Sequence, residues 1–240
     1  MPKITVRAPM IRTLIAATAA ILAVPAHADE DTSYRDAPNS ARIGLYSIFY
    51  HVSTDGLQGA YVPPGTSLDA NNLNTVYLGY VRSLTAHIDI ELTAGYPPLQ
   101  KTVGKGPATL GSVPYNGQVI ATARWLAPTV LAEYVFFSEN AKIRPFIGAG
   151  VNYTTFYDRD STAQGNAASG GPTRLSLTPS VGIAGTVGLS YRISGPWHAY
   201  ASYSASQVRT KLDADTAGVE RTAHINFGGQ ALVVSVGYSF

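Results

Sequence analysis

Apolar and polar side chains alternate at every second position over much of this chain. In the clearest segment, Ile88, Ile90, Leu92, Ala94 and Tyr96 alternate with His87, Asp89, Glu91, Thr93 and Gly95. A period of two places successive side chains on opposite faces of a β-strand. Segments of this kind, each about ten residues long, recur between turn-forming residues, as in a transmembrane β-barrel with one strand face towards lipid and one towards the interior.

Eight such segments can be placed along the chain. They lie near residues 42–52, 74–84, 88–96, 123–137, 143–154, 181–193, 197–206 and 224–240. Short connections at 85–86, 138–141 and 194–196 alternate with long ones at 53–72, 97–118, 158–179 and 211–221. We therefore predict an all-β fold, an eight-stranded antiparallel transmembrane β-barrel with short periplasmic turns and long extracellular loops.

Aromatic residues fall near the ends of these segments, where a barrel places its interfacial belts. We expect one belt at the periplasmic end and another, which includes Trp125, near the outer end.

The final segment has an apolar or aromatic side chain at alternate positions, namely Leu232, Val234, Val236, Tyr238 and Phe240. On a soluble protein such an edge would promote aggregation. It is similar to the closing strand of Gram-negative outer-membrane barrels, and the similarity implies an assembly signal read by the outer-membrane assembly machinery.

The first 28 residues have the pattern of a secretory signal peptide. Lys3, Arg7 and Arg12 precede an apolar run over residues 14–24, and Ala26 and Ala28 form an A-x-A cleavage site. The run is shorter than the ~20 residues that a membrane-spanning helix needs. We predict export through the secretory pathway, cleavage after residue 28 and one barrel domain over residues 29–240.

Charge and composition exclude several classes of function. The leader carries three basic and no acidic residues, so 17 Lys plus Arg become 14 against 15 Asp plus Glu in the mature chain. Nucleic acid is therefore not an expected partner. The absence of cysteine excludes disulfides, thiolate metal sites and cysteine nucleophiles. The predicted partners are outer-membrane lipid, small hydrophobic solutes and the assembly machinery.

The middle of the chain carries a more specific resemblance. The run from Arg144 and Pro145 through Gly148, Ala149 and Gly150 to residues 152–153, Asn-Tyr, resembles the OmpW family of small outer-membrane proteins. The resemblance extends from about residue 42 to residue 240, and departs from the usual family pattern at Ala127-Pro128 and at residues 204–207. It implies an eight-stranded barrel of the Gram-negative outer membrane with a narrow apolar channel for small hydrophobic molecules.

The inward residues of so narrow a barrel decide what it can carry, because eight strands leave room only for side chains or one small ligand. We predict a polar plug in the periplasmic half formed by Asp89, Glu91, Arg144 and Arg192. We predict that the channel above it is lined by Leu45, Phe49, Leu131, Val135, Phe146 and Phe156, with Gly148 and Gly150 leaving space. Ordinary apolar filling of the interior remains an alternative.

Proline cannot donate a backbone hydrogen bond, so Pro128 is predicted to be a weak point where the wall opens sideways. Pro145 is interpreted either in the same way or as a strand start, where proline is tolerated.

Two alternatives to a channel come from other classes of function, and the first is a lipid-modifying barrel enzyme. His51 and Ser53 share a strand face, as a base and a nucleophile would, but no third group orients the histidine, so we predict no enzyme activity. Neither a cofactor nor a metal is expected. The other alternative is a surface receptor, adhesin or structural barrel that acts through its extracellular loops.

Overall fold

The computed structural model describes residues 37–240, so the predicted signal peptide lies outside the described residues. In chain order the strands and the helix are β1 Asn39–Thr54, β2 Gln58–Gly59, β3 Ser67–Ala70, β4 Leu73–Ser83, β5 Ile88–Gly95, β6 Leu99–Lys105, β7 Thr109–Leu110, β8 Val113–Pro114, β9 Val119–Leu126, β10 Thr129–Val135, β11 Ile143–Ser161, α1 Ala163–Ser169, β12 Thr173–Leu177, β13 Ser180–Ser194, β14 Trp197–Thr216 and β15 Val219–Ser239. Within residues 37–240, no helix is long and apolar enough to cross a membrane.

Eight of these strands close into a ring in the order β1, β4, β5, β10, β11, β13, β14 and β15. Every neighbouring pair is antiparallel, and β15 returns to pair with β1. Closure leaves no strand edge unpaired around most of the wall, as lipid requires. We call the end that holds Asn39 and Phe240 the terminus end and the opposite end the loop end.

The two faces of the wall differ as the period of two predicts. On β13, Val181, Ile183, Val187 and Leu189 are exposed on the outside of the ring. The residues between them point inward, and Thr186 among them is buried. The outward face therefore suits lipid along this strand.

The loop end is more ordered than the sequence predicts. Beyond the ring, the outer half of β11 pairs with β9, which pairs with β6, which pairs with β3. On the other side β12 pairs with β14, and β2 pairs with β15. Three of the predicted long loops therefore contain short strands or the helix α1.

The prediction of a fourth long loop at residues 211–221 is wrong. Strands β14 and β15 continue as a paired hairpin up to Thr216 and Val219. Ala217 and Gly218 form the turn, with φ angles of 52° and 86°. Two residues with positive φ match the twist of antiparallel strands, so the strands run on without a loop.

The predicted fourth strand, residues 123–137, is divided in two. Strand β9 ends at Leu126, β10 begins at Thr129, and Ala127-Pro128 separates them. Both halves pair with β11, so they remain roughly collinear. Trp125, expected in the outer aromatic belt, is instead 7% exposed and packs inside with Ile48 and Ala231.

Candidate functional site

The interior of the ring contains two separate cavities. The upper cavity, towards the loop end, has a volume of about 100 Å³ and a mainly apolar and aromatic lining that includes Tyr46, Ile48, Tyr50, Trp125, Phe156 and Phe227. The lower cavity, towards the terminus end, has a volume of about 390 Å³ and is lined by charged groups that include Asp89, Arg144 and Arg192. The upper cavity therefore suits a small apolar molecule, and the lower one suits water and ions.

A polar layer, formed by Arg42, Tyr77, Glu91 and Glu133, lies between the two cavities. Arg42 Nη1 donates to Glu91 Oε1 at 3.1 Å, and both side chains are buried. The Tyr77 hydroxyl donates to the same carboxylate oxygen. Glu133 is 1% exposed and adds a second carboxyl group near Arg42 and Glu91.

Aromatic side chains support the polar layer from the terminus end. The guanidinium carbon of Arg42 lies 3.8 Å from the ring centroid of Tyr200 and 5.9 Å from that of Phe146. Phe146 and Tyr200 form a buried cluster with Val135. Charge, stacking and apolar packing together fill the section between the two cavities.

The predicted polar plug is only partly correct. Glu91 lies in the polar layer, but its partner is Arg42, which the sequence analysis missed together with Tyr77 and Glu133. Within residues 37–240 the predicted arginines make no ion pair with the predicted carboxylates. Their guanidinium groups instead donate to main-chain carbonyls in the terminus-end turns, Arg144 to Ala86 and Arg192 to Glu139.

Glu91 pairs with Arg42 because the strand between them, β4, has a glycine at the point where the two side chains meet. Gly79 of β4 pairs with Arg42 of β1 on one side, and β5 lies on the other. A Cβ at Gly79 would lie 2.7 Å from the Tyr77 hydroxyl oxygen and 3.1 Å from Glu91 Oε1. The missing side chain lets Arg42 reach across β4. The sequence did contain a signal for this pairing, since Arg42 is a charged residue at an inward position near the start of the first strand.

Two of the residues predicted to line the channel face the wrong way. Leu45 is 53% exposed and Phe49 is 46% exposed, so both lie on the outer face of β1. Tyr46, Ile48 and Tyr50 point inward instead. Both faces of β1 are apolar here, and a one-residue change of register exchanges the two faces, so alternation alone could not choose.

The remaining predicted lining residues lie on the inner side. Leu131 is buried beside the upper cavity, and Phe156 packs against the cluster around Trp125. Val135 and Phe146 are buried as well, but they line the lower cavity on the terminus side of the polar layer, so their predicted place in the channel above the plug is wrong.

The glycines were expected to leave space, and this expectation is wrong. A Cβ at Gly148 would lie 2.9 Å from Glu133 Cγ, and one at Gly150 would lie 1.8 Å from the Val130 carbonyl oxygen. Neighbouring atoms already occupy the space beside both glycines, so the missing side chains do not widen the channel.

The wall beside the upper cavity contains an interruption that we call the seam, formed by residues 94–98 and 125–128. The ladder between β5 and β10 starts at the pair Thr93 and Thr129, and the ladder between β6 and β9 starts at Leu99 and Arg124. The described backbone hydrogen bonds include none across the stretch between these two pairs. Pro128 lies on one side of this stretch, and Pro97 and Pro98, which the sequence analysis did not single out, lie on the other.

Side chains partly replace the missing ladder at the seam. Asn152 Nδ2 donates to Thr129 Oγ1 at 2.8 Å and to the Ala127 carbonyl at 3.4 Å. Arg124 donates to the Pro97 carbonyl at 3.0 Å. Such bonds make a gap in the wall tolerable in a membrane, where an unpaired backbone group is costly.

Pro145 behaves differently from Pro128. It is the third residue of β11 and remains opposite Leu189 of β13. Its carbonyl also accepts from the Phe136 amide at 2.8 Å. The alternative interpretation as a strand start therefore fits Pro145.

Two further predicted groups lie on the outside of the ring. His51 and Ser53 are exposed on the outer face of β1, away from both cavities. The residues of the predicted assembly signal, Leu232, Val234, Val236, Tyr238 and Phe240, are all exposed. Tyr238 packs edge to face on Trp197, with ring centroids 5.1 Å apart.

Curated relatives are similar to most of the chain. Outer membrane protein W from Salmonella typhimurium is 33% identical over 172 residues, which cover 72% of this chain and 76% of that protein. The dibenzothiophene metabolism operon protein PahQ from Pseudomonas aeruginosa is 29% identical over 140 residues, which cover 57% of this chain and 58% of that protein.

Solved structures match the architecture. The crystal structure of outer membrane protein OprG from Pseudomonas aeruginosa superposes with a TM-score of 0.75 at 21% identity, covering 84% of this chain and 95% of that one. The solution structure of Escherichia coli outer membrane protein W gives a TM-score of 0.53 at 26% identity, covering 85% of this chain and 98% of that one.

The model of the OmpW family matches residues 41–240, which include all eight strands of the ring except the first two residues of β1. Together with the closed antiparallel ring and its outward apolar face, this match confirms the predicted fold and location. The chain belongs to the OmpW family and is an eight-stranded β-barrel of the Gram-negative outer membrane.

Proposed function

We propose that the barrel is a passive path by which small hydrophobic molecules enter the outer membrane, without catalysing a reaction. The upper cavity supports this function, because it is lined mainly by aromatic and aliphatic side chains and lies towards the loop end. Its volume of about 100 Å³ is small, so a passenger must displace side chains as it moves.

The polar layer argues against a straight path through the barrel. An apolar molecule moving towards the terminus end would have to separate the buried pair of Arg42 and Glu91. Leaving a buried charge without its partner costs several kcal/mol, on the order of 3–5. The easier route from the upper cavity is sideways.

The seam is the observation that carries the proposal. Ala127, Thr129 and Trp125 line the upper cavity, and the same stretch of wall lacks backbone pairing towards β5 and β6. Opening the wall there breaks no ladder hydrogen bond and only the side-chain bond from Arg124 to the Pro97 carbonyl, so a lateral exit costs less there than through a paired stretch of the wall.

The name of one relative supports this chemical class of transported molecule. PahQ is named a dibenzothiophene metabolism operon protein. Dibenzothiophene is a compact apolar molecule, which agrees in chemical class with the lining of the upper cavity.

The test restores backbone donors at the seam. The variant with Pro97→Val and Pro98→Val gains N–H groups on the β5–β6 side of the seam, with which the β9–β10 side can pair. Pro128 is left unchanged, because its carbonyl accepts from the Tyr153 amide of β11, so an N–H at this position would point away from the seam. Pro145→Val is the matched control, because it lies in a fully paired part of the wall. We would express each in Gram-negative cells that lack their own homologue, and follow the hydrophobic dye N-phenyl-1-naphthylamine, which becomes fluorescent in lipid.

The seam variant should take up the dye several-fold more slowly than wild type, while the control keeps the wild-type rate. Leu131→Asp, which places a charge in the upper cavity, should also slow uptake. Equal uptake by wild type and the seam variant would remove the lateral path. No uptake by a folded wild-type barrel would favour a role for the extracellular loops as a receptor or adhesin.

A further inference from the structure

The side chain of Gln100 is held rigidly at the edge of the upper cavity. Gln100 lies on β6, two positions beyond the seam, opposite Ala123 of β9. It is 8% exposed and lines the cavity. Its Nε2 group donates to two main-chain carbonyls, those of Asn71 at 2.9 Å and Lys101 at 3.0 Å.

These two bonds determine which way the amide points. An amide nitrogen has two hydrogens, and both are taken by the carbonyl oxygens of Asn71 and Lys101. In the flipped orientation an amide oxygen would face two other oxygens, which is repulsive. The oxygen Oε1 therefore stays on the other side of the amide.

The oxygen Oε1 of Gln100 is buried and has no hydrogen-bond donor among the described residues. Leaving a buried acceptor unsatisfied costs about 1–3 kcal/mol. Thr93, another polar residue of the lining, donates its own hydroxyl elsewhere, to the Leu78 carbonyl. Within the described part of the chain, the cavity thus combines mainly apolar walls with one fixed acceptor that lacks a partner and one buried donor that lacks one as well, the indole N–H of Trp125. A hydroxyl group can pair with both, whereas an ether oxygen can only accept from Trp125.

We propose that Gln100 makes the upper cavity selective for small hydrophobic molecules that carry one hydrogen-bond donor, such as a hydroxyl group. The apolar body of the molecule contacts the aromatic lining, and its donor pairs with Gln100 Oε1. This inference rests on the proposed function, since it requires hydrophobic molecules to enter the cavity. Alkanes and ethers of similar size should bind more weakly.

Tryptophan fluorescence gives a direct test. The chain has two tryptophans, and Trp125 lines the upper cavity while Trp197 is exposed on the outer face. With Trp197→Phe as background, Trp125 reports on the cavity alone. The probes are 4-bromophenol, which can donate, 4-bromoanisole, which can only accept, and 4-bromotoluene, which can do neither. The bromine atom of each probe quenches tryptophan fluorescence. The barrel is placed in lipid vesicles, and the concentration of each probe is expressed as its concentration in the lipid phase.

We expect 4-bromophenol to quench Trp125 at about fivefold lower lipid-phase concentration than the other two probes, as a hydrogen bond of ordinary strength implies. In Gln100→Met, which keeps the length of the side chain, this advantage should disappear while quenching by 4-bromotoluene remains. Gln230→Met is the matched control, since Gln230 is an exposed glutamine on β15.

Two results would overturn the inference, and they are distinguishable. Equal quenching of Trp125 by all three probes in the wild-type background would reject selectivity at Gln100 but leave the proposed function intact. No quenching by any probe would show that hydrophobic molecules do not enter the cavity, which would reject the proposed function as well. The wild-type comparison decides both even where Gln100→Met fails to fold.

Discussion

The buried pair between Arg42 and Glu91 allows the sharpest prediction about stability. Replacing Arg42 with Met keeps much of the volume but removes the positive charge from the polar layer. Both charged side chains are nearly inaccessible, at 6% and 5% exposure, so water cannot compensate for the loss. The variant retains two carboxyl groups, those of Glu91 and Glu133, without a cation beside them.

The expected loss follows from this geometry. Removing one partner of a buried ion pair costs about 3–5 kcal/mol. Loss of the stacking of Arg42 over Tyr200, at 3.8 Å, adds about 0.5–2 kcal/mol, and Met recovers part of it by packing. We therefore expect Arg42→Met to lower the free energy of unfolding by about 3–5 kcal/mol.

Glu91→Gln should cost less, about 1–3 kcal/mol, because Arg42 keeps the carboxyl group of Glu133 as a neighbour. The double variant should cost less than the sum of the two single changes, since both remove the same ion pair. Arg209→Met serves as the control, because Arg209 is exposed on β14 and its loss should change little.

The assay is reversible urea unfolding of the barrel in phospholipid vesicles, followed by tryptophan fluorescence. The free energies from the four variants and the wild type give the coupling between Arg42 and Glu91 directly. A loss of less than about 1 kcal/mol in Arg42→Met would refute the argument, since it would match a solvent-exposed pair. A larger loss in Glu91→Gln than in Arg42→Met would refute the role given to Glu133.

Three further predictions follow from particular residues. Hydrogen bonds from His224 hold the pKa of Asp55 below its usual value, so the contact is present above pH about 4 and is lost as pH falls through the lowered pKa. The ring resonances of His224 in NMR spectra would show this loss, and unchanged resonances between pH 5 and pH 2 would contradict it. In single-tryptophan variants, brominated lipid should quench the fluorescence of Trp197, which is exposed on the outer face, and leave that of Trp125 unquenched. The opposite result would mean that the inner and outer faces of the wall are assigned the wrong way round. Ala217→Gly should raise the free energy of unfolding by up to about 1 kcal/mol, because Ala217 has a φ of 52° where glycine is unstrained, and a decrease in the urea midpoint would count against this.

Much of the fold could be predicted from sequence because the wall obeys a local rule. A strand between lipid and a filled interior must alternate, and β5, β11, β13 and β15 do so over most of their length. The count of eight and the order of the strands followed from that alternation and from short turns. The hairpin at Ala217-Gly218 was missed because polar strand residues beyond the membrane resemble a loop in composition.

The candidate site was only partly predictable. Inward residues such as Leu131 and Phe146 lie on strands where one face is clearly apolar and the other mixed. Leu45 and Phe49 were misplaced because β1 is apolar on both faces near its middle, so the pattern there carries no information about direction. Pro128 was recognisable from its missing N–H, but the sequence did not show that it lies across an unpaired stretch from Pro97 and Pro98, because those residues are far away in the chain.

By itself, the sequence determined the class of this protein, the strand number and the chemistry of the lipid face, because each of these depends on residues close together in the chain. The tertiary structure alone decided that Arg42 pairs with Glu91 across Gly79, that two proline segments meet at a seam, and that Gln100 keeps one buried oxygen without a donor. Each of these depends on the register between strands far apart in sequence. Register is set by closure of the whole ring, which no local pattern specifies.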